Sequence, residues 1–179
     1  MRAIVLLVIF GVVGAMVVQC SSGKDWRTAS RESAGIAPDP VATEEAVLLV
    51  YGANAWGWRG WFAIHTWIAA KRTGEEAYTV YDVVGWRGYR GQSVMRIGRD
   101  LPDRYWYGEK PKVIQEHRGE GVDALIDAVD KAAREYPWKR EYKAFPGPNS
   151  NTFIAWIGKQ VPELGLRLPL RAIGSGFVN

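Results

Sequence analysis

One short segment, Phe145-Pro-Gly-Pro-Asn-Ser-Asn-Thr-Phe153, constrains the fold of this chain more than any other. Its prolines restrict the backbone on the approach, and the Asn, Ser and Thr that follow are residue types preferred at the N-cap of a helix. We therefore predict a helix over residues 151–160, which Pro162 ends. In that arrangement Ser150 lies where the first backbone N–H groups of the helix point.

A histidine lies in the apolar segment Trp61–Lys71, which is predicted to be a strand. A turn and a second predicted strand, Ala77–Trp86, follow it, so the two strands should form an antiparallel hairpin. A hairpin that is symmetric about its turn places His65 opposite Val83. A shift of one residue places it opposite Asp82 on the same face, and the sequence leaves this register open.

A hydroxyl at a helix N-terminus and a histidine on a strand are two parts of a nucleophilic site. In this hypothesis Ser150 attacks, His65 is the base and Asp82 orients the imidazole. The side chains of Asn149 and Asn151 are candidate donors to an oxyanion. The alternative is structural, because a run of N-cap residues also starts a helix and a histidine also occurs in an ordinary core. The residues alone leave enzyme and non-enzyme open.

The rest of the sequence predicts an α+β fold with a mainly antiparallel sheet and two main helices. Ala46–Tyr51 has the apolar run of a buried strand. Gly121–Tyr136 has apolar residues at helical spacing, acidic residues early and basic residues late, which predicts an amphipathic helix. Asp103–Tyr107 is a candidate short strand. His117 lies in a polar stretch and is expected to be exposed.

The sequence also offers residues that bind a ligand without catalysis. Nine of the 179 residues are tryptophan, whose ring lines ligand sites as well as cores. Residues 85–100 interleave glycines with arginines, which either bind phosphate or carboxylate groups or lie solvated in a loop. The candidate substrate-binding residues are Trp56, Trp58, Arg87 and Arg90. The alternative function is a binding or scaffold protein with an aromatic groove, which would use Trp56, Trp58, Trp61 and the arginine-rich segment 87–99.

Composition argues against several classes of function. The formal net charge is +4, from 23 basic and 19 acidic residues whose signs alternate along most of the chain. A nucleic-acid-binding protein usually has a denser basic stripe, so no nucleic acid is expected as a partner. One cysteine and two histidines cannot form an internal disulfide or a Cys/His zinc site. We expect neither a metal nor a cofactor.

The N-terminal residues 1–20 have the layout of a signal or membrane anchor, with an uncharged apolar run that ends at Cys20. The residues before Cys20 are similar to a bacterial lipoprotein cleavage site except at Gln19, where a small residue is usual. An acylated cysteine and an uncleaved anchor both stay open, and the sequence favours the uncleaved anchor. The chain is divided into this segment, an extended polar leader and a single α+β domain: residues 1–20, 21–45 and 46–179.

We expect the N-terminal segment to attach the domain to a membrane, with the domain facing the periplasm or cell envelope. Peptidoglycan and lipid are then the candidate partners. The basic residues do not favour export, because more of them follow the apolar run than precede it. A cytoplasmic domain tethered by its N-terminus is the alternative.

Five segments resemble a bacterial family of unknown function, numbered 3750 among such domains. They are Asp25–Ser30, Ser33–Pro40, Phe62–Trp67, Asp103–Gly108 and Pro146–Phe153. The resemblance covers most of the chain beyond the N-terminal segment, and this family implies no established activity.

The order of the motifs is also distantly similar to that of circularly permuted papain-like domains, such as NlpC-type cell-wall peptidases and lecithin-retinol-acyltransferase-like proteins. These place a strand histidine early and an Asn-Cys-x-x-Phe helix start late. Here His65 and Asn149–Phe153 match, with Ser150 in the place of the cysteine. The similarity implies a cell-envelope hydrolase or acyltransferase that acts on an amide or ester. An alcohol ionises at far higher pH than a thiol. Two alternatives therefore stay open: an enzyme with a serine nucleophile, and a protein that has lost catalytic activity but still binds its ligand in the groove.

Overall fold

Five strands form one antiparallel sheet, ordered β4-β3-β2-β1-β5. The structure is a computed structural model and describes residues 25–178. Two helices, α1 (Val122–Arg134) and α2 (Ser150–Gln160), accompany the sheet, so the predicted α+β class is confirmed. The strands β1 to β5 are, in chain order, Val47–Asn54, Ile64–Lys71, Thr79–Val83, Met95–Arg99 and Lys112–Arg118.

Both faces of the sheet are buried, but by different parts of the chain. Alternate residues of a strand point to opposite faces. On the helix face, strand residues such as Leu48 and Ile68 pack with Phe153 of α2 and with α1. On the loop face, Trp67 and its neighbours pack with Trp106 from the loop between β4 and β5. The helices and the long loops therefore lie on opposite sides of the sheet.

The amphipathic helix predicted before Pro137 is α1. Ile126, Val129 and Ala133 are buried in the helix-face core, at the spacing that places them on one side of the helix. Asp123 in the first turn and Arg134 in the last complement the helix dipole.

The second predicted helix, α2, begins at a complete N-cap. Asn149 Oδ1 accepts from the backbone N–H groups of Asn151 and Thr152, at 3.0 and 3.1 Å. In return, Thr152 Oγ1 accepts from the Asn149 N–H at 3.0 Å. This reciprocal arrangement satisfies otherwise unpaired donors at the helix start, so the N-cap sequence has the structural role considered above.

Replacing Asn149 with alanine is expected to lower the free energy of unfolding by about 2–3 kcal/mol, because the N-cap is lost together with the hydrogen bonds from its side chain to two backbone carbonyls. Those carbonyls belong to Ala144 and Ile173, each 3.1 Å from Asn149 Nδ2. Urea unfolding measures the change. The exposed Asn54 is the control, and Asn54→Ala is expected to cost about 0.5 kcal/mol or less. Equal costs for the two variants would refute the structural role of Asn149.

Two features between β4 and α1 differ from expectation. Asp103–Tyr107 is a loop with isolated bridges rather than a strand, and Tyr107 has φ 51°, which a strand does not allow. β5, which follows this loop, is a half-exposed edge strand, and its mainly polar sequence did not predict a strand. His117 on β5 is half-buried rather than exposed, and its Nε2 lies 3.1 Å from Leu164 O.

Part of the predicted leader is bound to the loop after β4 through a buried carboxylate. Asp103 is 1 % exposed, and its two oxygens accept from Ser33 Oγ and the Ile36 N–H, each at 2.7 Å. Ile36 also packs against the loop-face core. The leader is therefore part of the folded structure, and its Ser30 O also accepts from the Gly108 N–H at 2.9 Å.

The N-terminal predictions concern residues that the structure does not describe. The signal or anchor at residues 1–20, with its candidate lipidation site Cys20, lies outside the described range. Within residues 25–178, no helix has the length and apolar character that crossing a bilayer requires.

Candidate functional site

His65 and Asp82 form a buried hydrogen-bonded pair on the loop face of the sheet. His65 Nε2 lies 3.0 Å from Asp82 Oδ1, and the two residues are 5 % and 3 % exposed. The Trp106 ring stacks on the imidazole with centroids 3.4 Å apart and an interplanar angle of 5°. This shielding from water strengthens the hydrogen bond between the two side chains.

The pair forms diagonally across the hairpin. The register of β2 and β3 places Ile68 opposite Tyr81, and its extension places Asp82 opposite Trp67. His65 lies two residues from Trp67 and shares its face, so Asp82 reaches the imidazole as a diagonal neighbour. Both registers considered from the sequence are therefore wrong, although the structure does bring the two predicted side chains together.

Asp82 is held as a carboxylate inside the protein. Burial acts to raise the pKa of its carboxyl group, but the His65 ring, Arg96 and Arg104 outweigh burial and lower the pKa below its usual value. Arg96 Nη2 lies 3.7 Å from Asp82 Oδ2. A carboxylate at Nε2 keeps the proton on that nitrogen, so the neutral imidazole has Nδ1 as its basic atom. Nδ1 makes no hydrogen bond to any described residue.

Ser150 is the first residue of α2, and this helix begins against the strand that carries His65. Asn151 Nδ2 donates to Ile64 O at 2.9 Å, and Thr66 Oγ1 donates to Asn151 Oδ1 at 2.8 Å. The residue after Ser150 is thus bonded to both neighbours of His65. Ser150 is 4 % exposed. No hydrogen bond joins Ser150 and His65, both of which are within the described range.

The helix start lies where the two strands of the hairpin separate. Pairing of β2 with β3 covers Ile68–Ala70 and stops before the level of the imidazole. At that level the Ile64 N–H donates to Arg171 O at 2.9 Å, and Ile64 O accepts from Asn151. The N–H and C=O of one strand residue point to the same side, so α2 and the C-terminal segment bind β2 on a single edge. They bind β2 at the end of the hairpin that holds the His–Asp pair.

The side chains predicted as oxyanion donors are already engaged. Asn149 Nδ2 donates to Ala144 O and Ile173 O, while Asn151 Nδ2 donates to Ile173 O and to a carbonyl of β2. An amide nitrogen has two hydrogens, so neither side chain has a donor left for a substrate. The backbone N–H of Ser150 makes no hydrogen bond within the described residues and is the available donor at this helix end.

Among the residues predicted to bind a ligand, the structure gathers the arginines but not the tryptophans. Arg87 and Arg90 line a cavity of about 230 Å³ on the loop face. Trp56 packs edge-on against Tyr107, with centroids 5.9 Å apart. Trp58 is 63 % exposed. In the described structure neither tryptophan lines the cavity.

Sequence reasoning missed several residues of the same cavity. Arg31 comes from the leader, and Arg104 and Trp106 come from the loop after β4. The signal for the loop was available, since an arginine followed by three aromatic residues at positions 104–107 is typical of ligand sites. Nothing comparable marks Arg31, which reaches the cavity because Asp103 binds the leader.

The described site offers an imidazole, a carboxylate, a hydroxyl and several guanidinium groups. Residues 25–178 contain no group of three or more His, Cys, Asp or Glu side chains placed to hold a metal ion.

Together, the fold and the site define an α+β protein with a buried His–Asp pair beside a helix N-terminus and an arginine-lined cavity. The chain belongs to the family described as "Protein of unknown function (DUF3750)", whose model matches residues 45–177. The resemblance to that family is thereby confirmed. No curated protein and no solved structure matches the chain, and the similarity to papain-like domains stays a prediction.

Proposed function

We propose that this protein is a hydrolase or acyltransferase that acts on an amide or ester, with Ser150 as nucleophile, His65 as base and Asp82 as the group that orients the base. The observation that carries the proposal is the state of the His65 ring. Its Nε2 bonds to a buried carboxylate, which leaves Nδ1 basic on the strand against which α2 begins. A carboxylate in this position holds an imidazole in one tautomer and stabilises the imidazolium that forms during reaction.

The proposed reaction begins when Ser150 Oγ attacks the substrate carbonyl carbon and its proton passes to His65 Nδ1. The carbonyl oxygen gains the negative charge, which the Ser150 N–H and the positive end of α2 stabilise. Collapse of this intermediate breaks the bond to the leaving alcohol or amine, which takes the proton from His65. Water, or an acceptor alcohol or amine in a transferase, then attacks the acyl-serine in the same way and restores the enzyme.

The proposal requires the hydroxyl and the base to come into hydrogen-bond contact when substrate binds. Ser150 and His65 are not bonded to each other in the described structure. Catalytic hydrogen bonds in unliganded proteins are often long and shorten in the substrate complex. A serine needs this contact more than a cysteine does, because its own ionisation near neutral pH is negligible.

The proposal includes a location at the cell envelope, where esters of lipid and amides of peptidoglycan are substrates of the required class. Its basis is the signal-like layout of residues 1–20. Mass spectrometry of the mature N-terminus after expression in a bacterial cell is expected to find either an acylated Cys20 or an intact anchor in the membrane fraction. Intact full-length protein confined to the soluble cytoplasmic fraction would contradict this location.

Labelling with a fluorophosphonate probe, which reacts with activated serines, tests the catalytic proposal. We expect full-length protein to be labelled at Ser150, and His65→Gln to lower the labelling rate by about hundredfold or more, since a general base contributes about 10²–10⁴-fold. Ser150→Ala should remove the label. Ser175→Ala is the matched control, because Ser175 begins the 3-10 helix Ser175–Val178 and has no proposed role. The proposal would be refuted if wild-type protein is not labelled although its cooperative thermal unfolding shows that it is folded.

A binding or scaffold protein is the second candidate function. The observation that favours it is that Ser150 and His65, both buried, share no hydrogen bond in the described range. This alternative predicts that the probe does not react and that Ser150→Ala is silent in cells, while substitutions of the cavity arginines impair function.

A further inference from the structure

Five arginines converge on one cavity of about 230 Å³ on the loop face of the sheet. They come from the leader, the 3-10 helix Gly85–Arg90, β4 and the following loop, and they are Arg31, Arg87, Arg90, Arg96 and Arg104. Trp86 and Trp106, whose ring centroids are 5.6 Å apart, form apolar walls. Because like charges repel, this many guanidinium groups around one cavity need negative charge to balance them.

The carboxylates around the cavity balance only part of this charge. Asp100 forms ion pairs with both Arg96 and Arg104. Asp82 lies 3.7 Å from Arg96 and is itself bonded to His65. Five arginines and two carboxylates leave three positive charges in excess. The cavity therefore favours an anion carrying more than one negative charge.

Two of these arginines also have donors without acceptors. Arg96 Nε and Arg104 Nε are buried and have no hydrogen-bond partner within the described residues. Burial, with repulsion from Arg96, lowers the pKa of the Arg104 guanidinium. Buried donors in native proteins nearly always have an acceptor, and an anion in the cavity is a group that would supply one.

We propose that this cavity binds a phosphate group. Guanidinium groups match phosphate oxygens in pairs, and a phosphate monoester carries about 1.5–2 negative charges near neutral pH, whereas a carboxylate carries one. The cavity is smaller than the roughly 300–1,000 Å³ of sites that enclose a whole drug-sized ligand. It fits the phosphate end of a ligand, with the rest extending outward.

The phosphate cavity and the His–Asp pair share a wall. Trp106 stacks on His65 and also lines the cavity, as does Asp82. This shared wall indicates that the substrate is a phosphate-bearing ester or amide, an assignment that rests on the proposed function. The phosphate site itself rests on the arginines and stands without that function.

Calorimetric titration of full-length protein tests the site with inorganic phosphate, glycerol 3-phosphate and monomeric dihexanoyl-phosphatidic acid, whose phosphate is also a monoester, at constant ionic strength set with chloride. Wild-type protein is expected to bind phosphate. The double variant Arg87→Gln/Arg90→Gln, whose side chains lie outside the buried core, should bind at least about tenfold more weakly, since each removed guanidinium supplied charge-assisted hydrogen bonds. Glycerol 3-phosphate binding more tightly than the lipid assigns a soluble ester; the reverse order assigns a lipid headgroup.

The matched control is Lys112→Gln/Arg167→Gln, which removes the same charge at the other edge of the sheet, where Arg167 N bonds to Gln115 of β5. It should bind phosphate as wild type does. Absence of phosphate binding by wild-type protein, or equal weakening in the control, overturns the phosphate site. Fluorophosphonate labelling of the same samples separates the two proposals: phosphate binding without labelling refutes the catalytic one alone, and labelling without phosphate binding refutes the phosphate site alone.

Discussion

Replacing Asp82 with asparagine is expected to lower the free energy of unfolding by about 3 kcal/mol, because breaking a buried ion pair by removing one partner leaves the other charges uncompensated. The carboxylate is 3 % exposed and faces His65 and Arg96. Asparagine keeps the shape and one acceptor oxygen, so the loss reports charge rather than packing. Urea unfolding at neutral pH measures it.

Asp127→Asn is the matched control for Asp82→Asn. Asp127 also pairs with an arginine, Arg72, but its side chain is 69 % exposed, and exposed pairs contribute about 0–1 kcal/mol. Equal losses in the two variants would contradict the importance of the buried pair.

The effect of Asp82 should also depend on pH. Its pKa is lower in the folded protein than in the unfolded chain, so its contribution to stability is complete above the unfolded value of about 4 and is lost as the pH falls through the folded value. The difference in stability between wild-type protein and Asp82→Asn should therefore be constant from about pH 5 to 7 and shrink below about pH 4. A difference that grows on acidification would contradict this assignment.

Replacing Ser150 with cysteine, in a Cys20→Ser background, is expected to produce a thiol that iodoacetamide alkylates with a pH midpoint at or below about 7, against about 8.5 for an ordinary thiol. A helix N-terminus and a nearby histidine both favour the thiolate. Ser150 begins α2, and the next residue bonds to both neighbours of His65. The midpoint is informative because it does not require the substrate to be known.

Two further variants separate the base from the helix. Adding His65→Gln should raise the midpoint of the Ser150→Cys thiol, because the helix N-terminus alone remains to stabilise the thiolate. Ser175→Cys in the same background is the control and should titrate near about 8.5. If Ser150 only caps a helix inside a closed core, burial raises the midpoint above that of the control, and the catalytic role of Ser150 is refuted.

Features encoded in short, contiguous segments were predictable. The apolar spacing of α1 and the N-cap sequence before α2 determine those helices locally, and both occur where predicted. β5 was missed because an edge strand needs little apolar sequence, and pairing with β1 rather than local propensity determines it. Tyr107, with its positive φ, shows the opposite error, since an aromatic run that favours a strand is a loop in the folded chain.

The candidate site shows the same difference between features that are encoded locally and features that depend on long-range contacts. His65 and Asp82 were paired from the hairpin, but their diagonal relation depends on a register that sequence cannot determine. The roles given to Asn149 and Asn151 failed to anticipate that both side chains hold the C-terminal segment through Ile173. Arg31 could not be assigned to the cavity because the contact joining its segment to the loop after β4 spans about 70 residues.

The bond between Asp103 and the leader limits how far the domain can stand from its point of attachment. If residues 1–20 are held at a bilayer, the chain between Cys20 and Ser33 spans at most about 45 Å when fully extended, and it must also carry Arg31 into the cavity wall. Under that condition, a tether of this length would keep the wall of the proposed phosphate cavity near the membrane surface, where lipid phosphate groups lie.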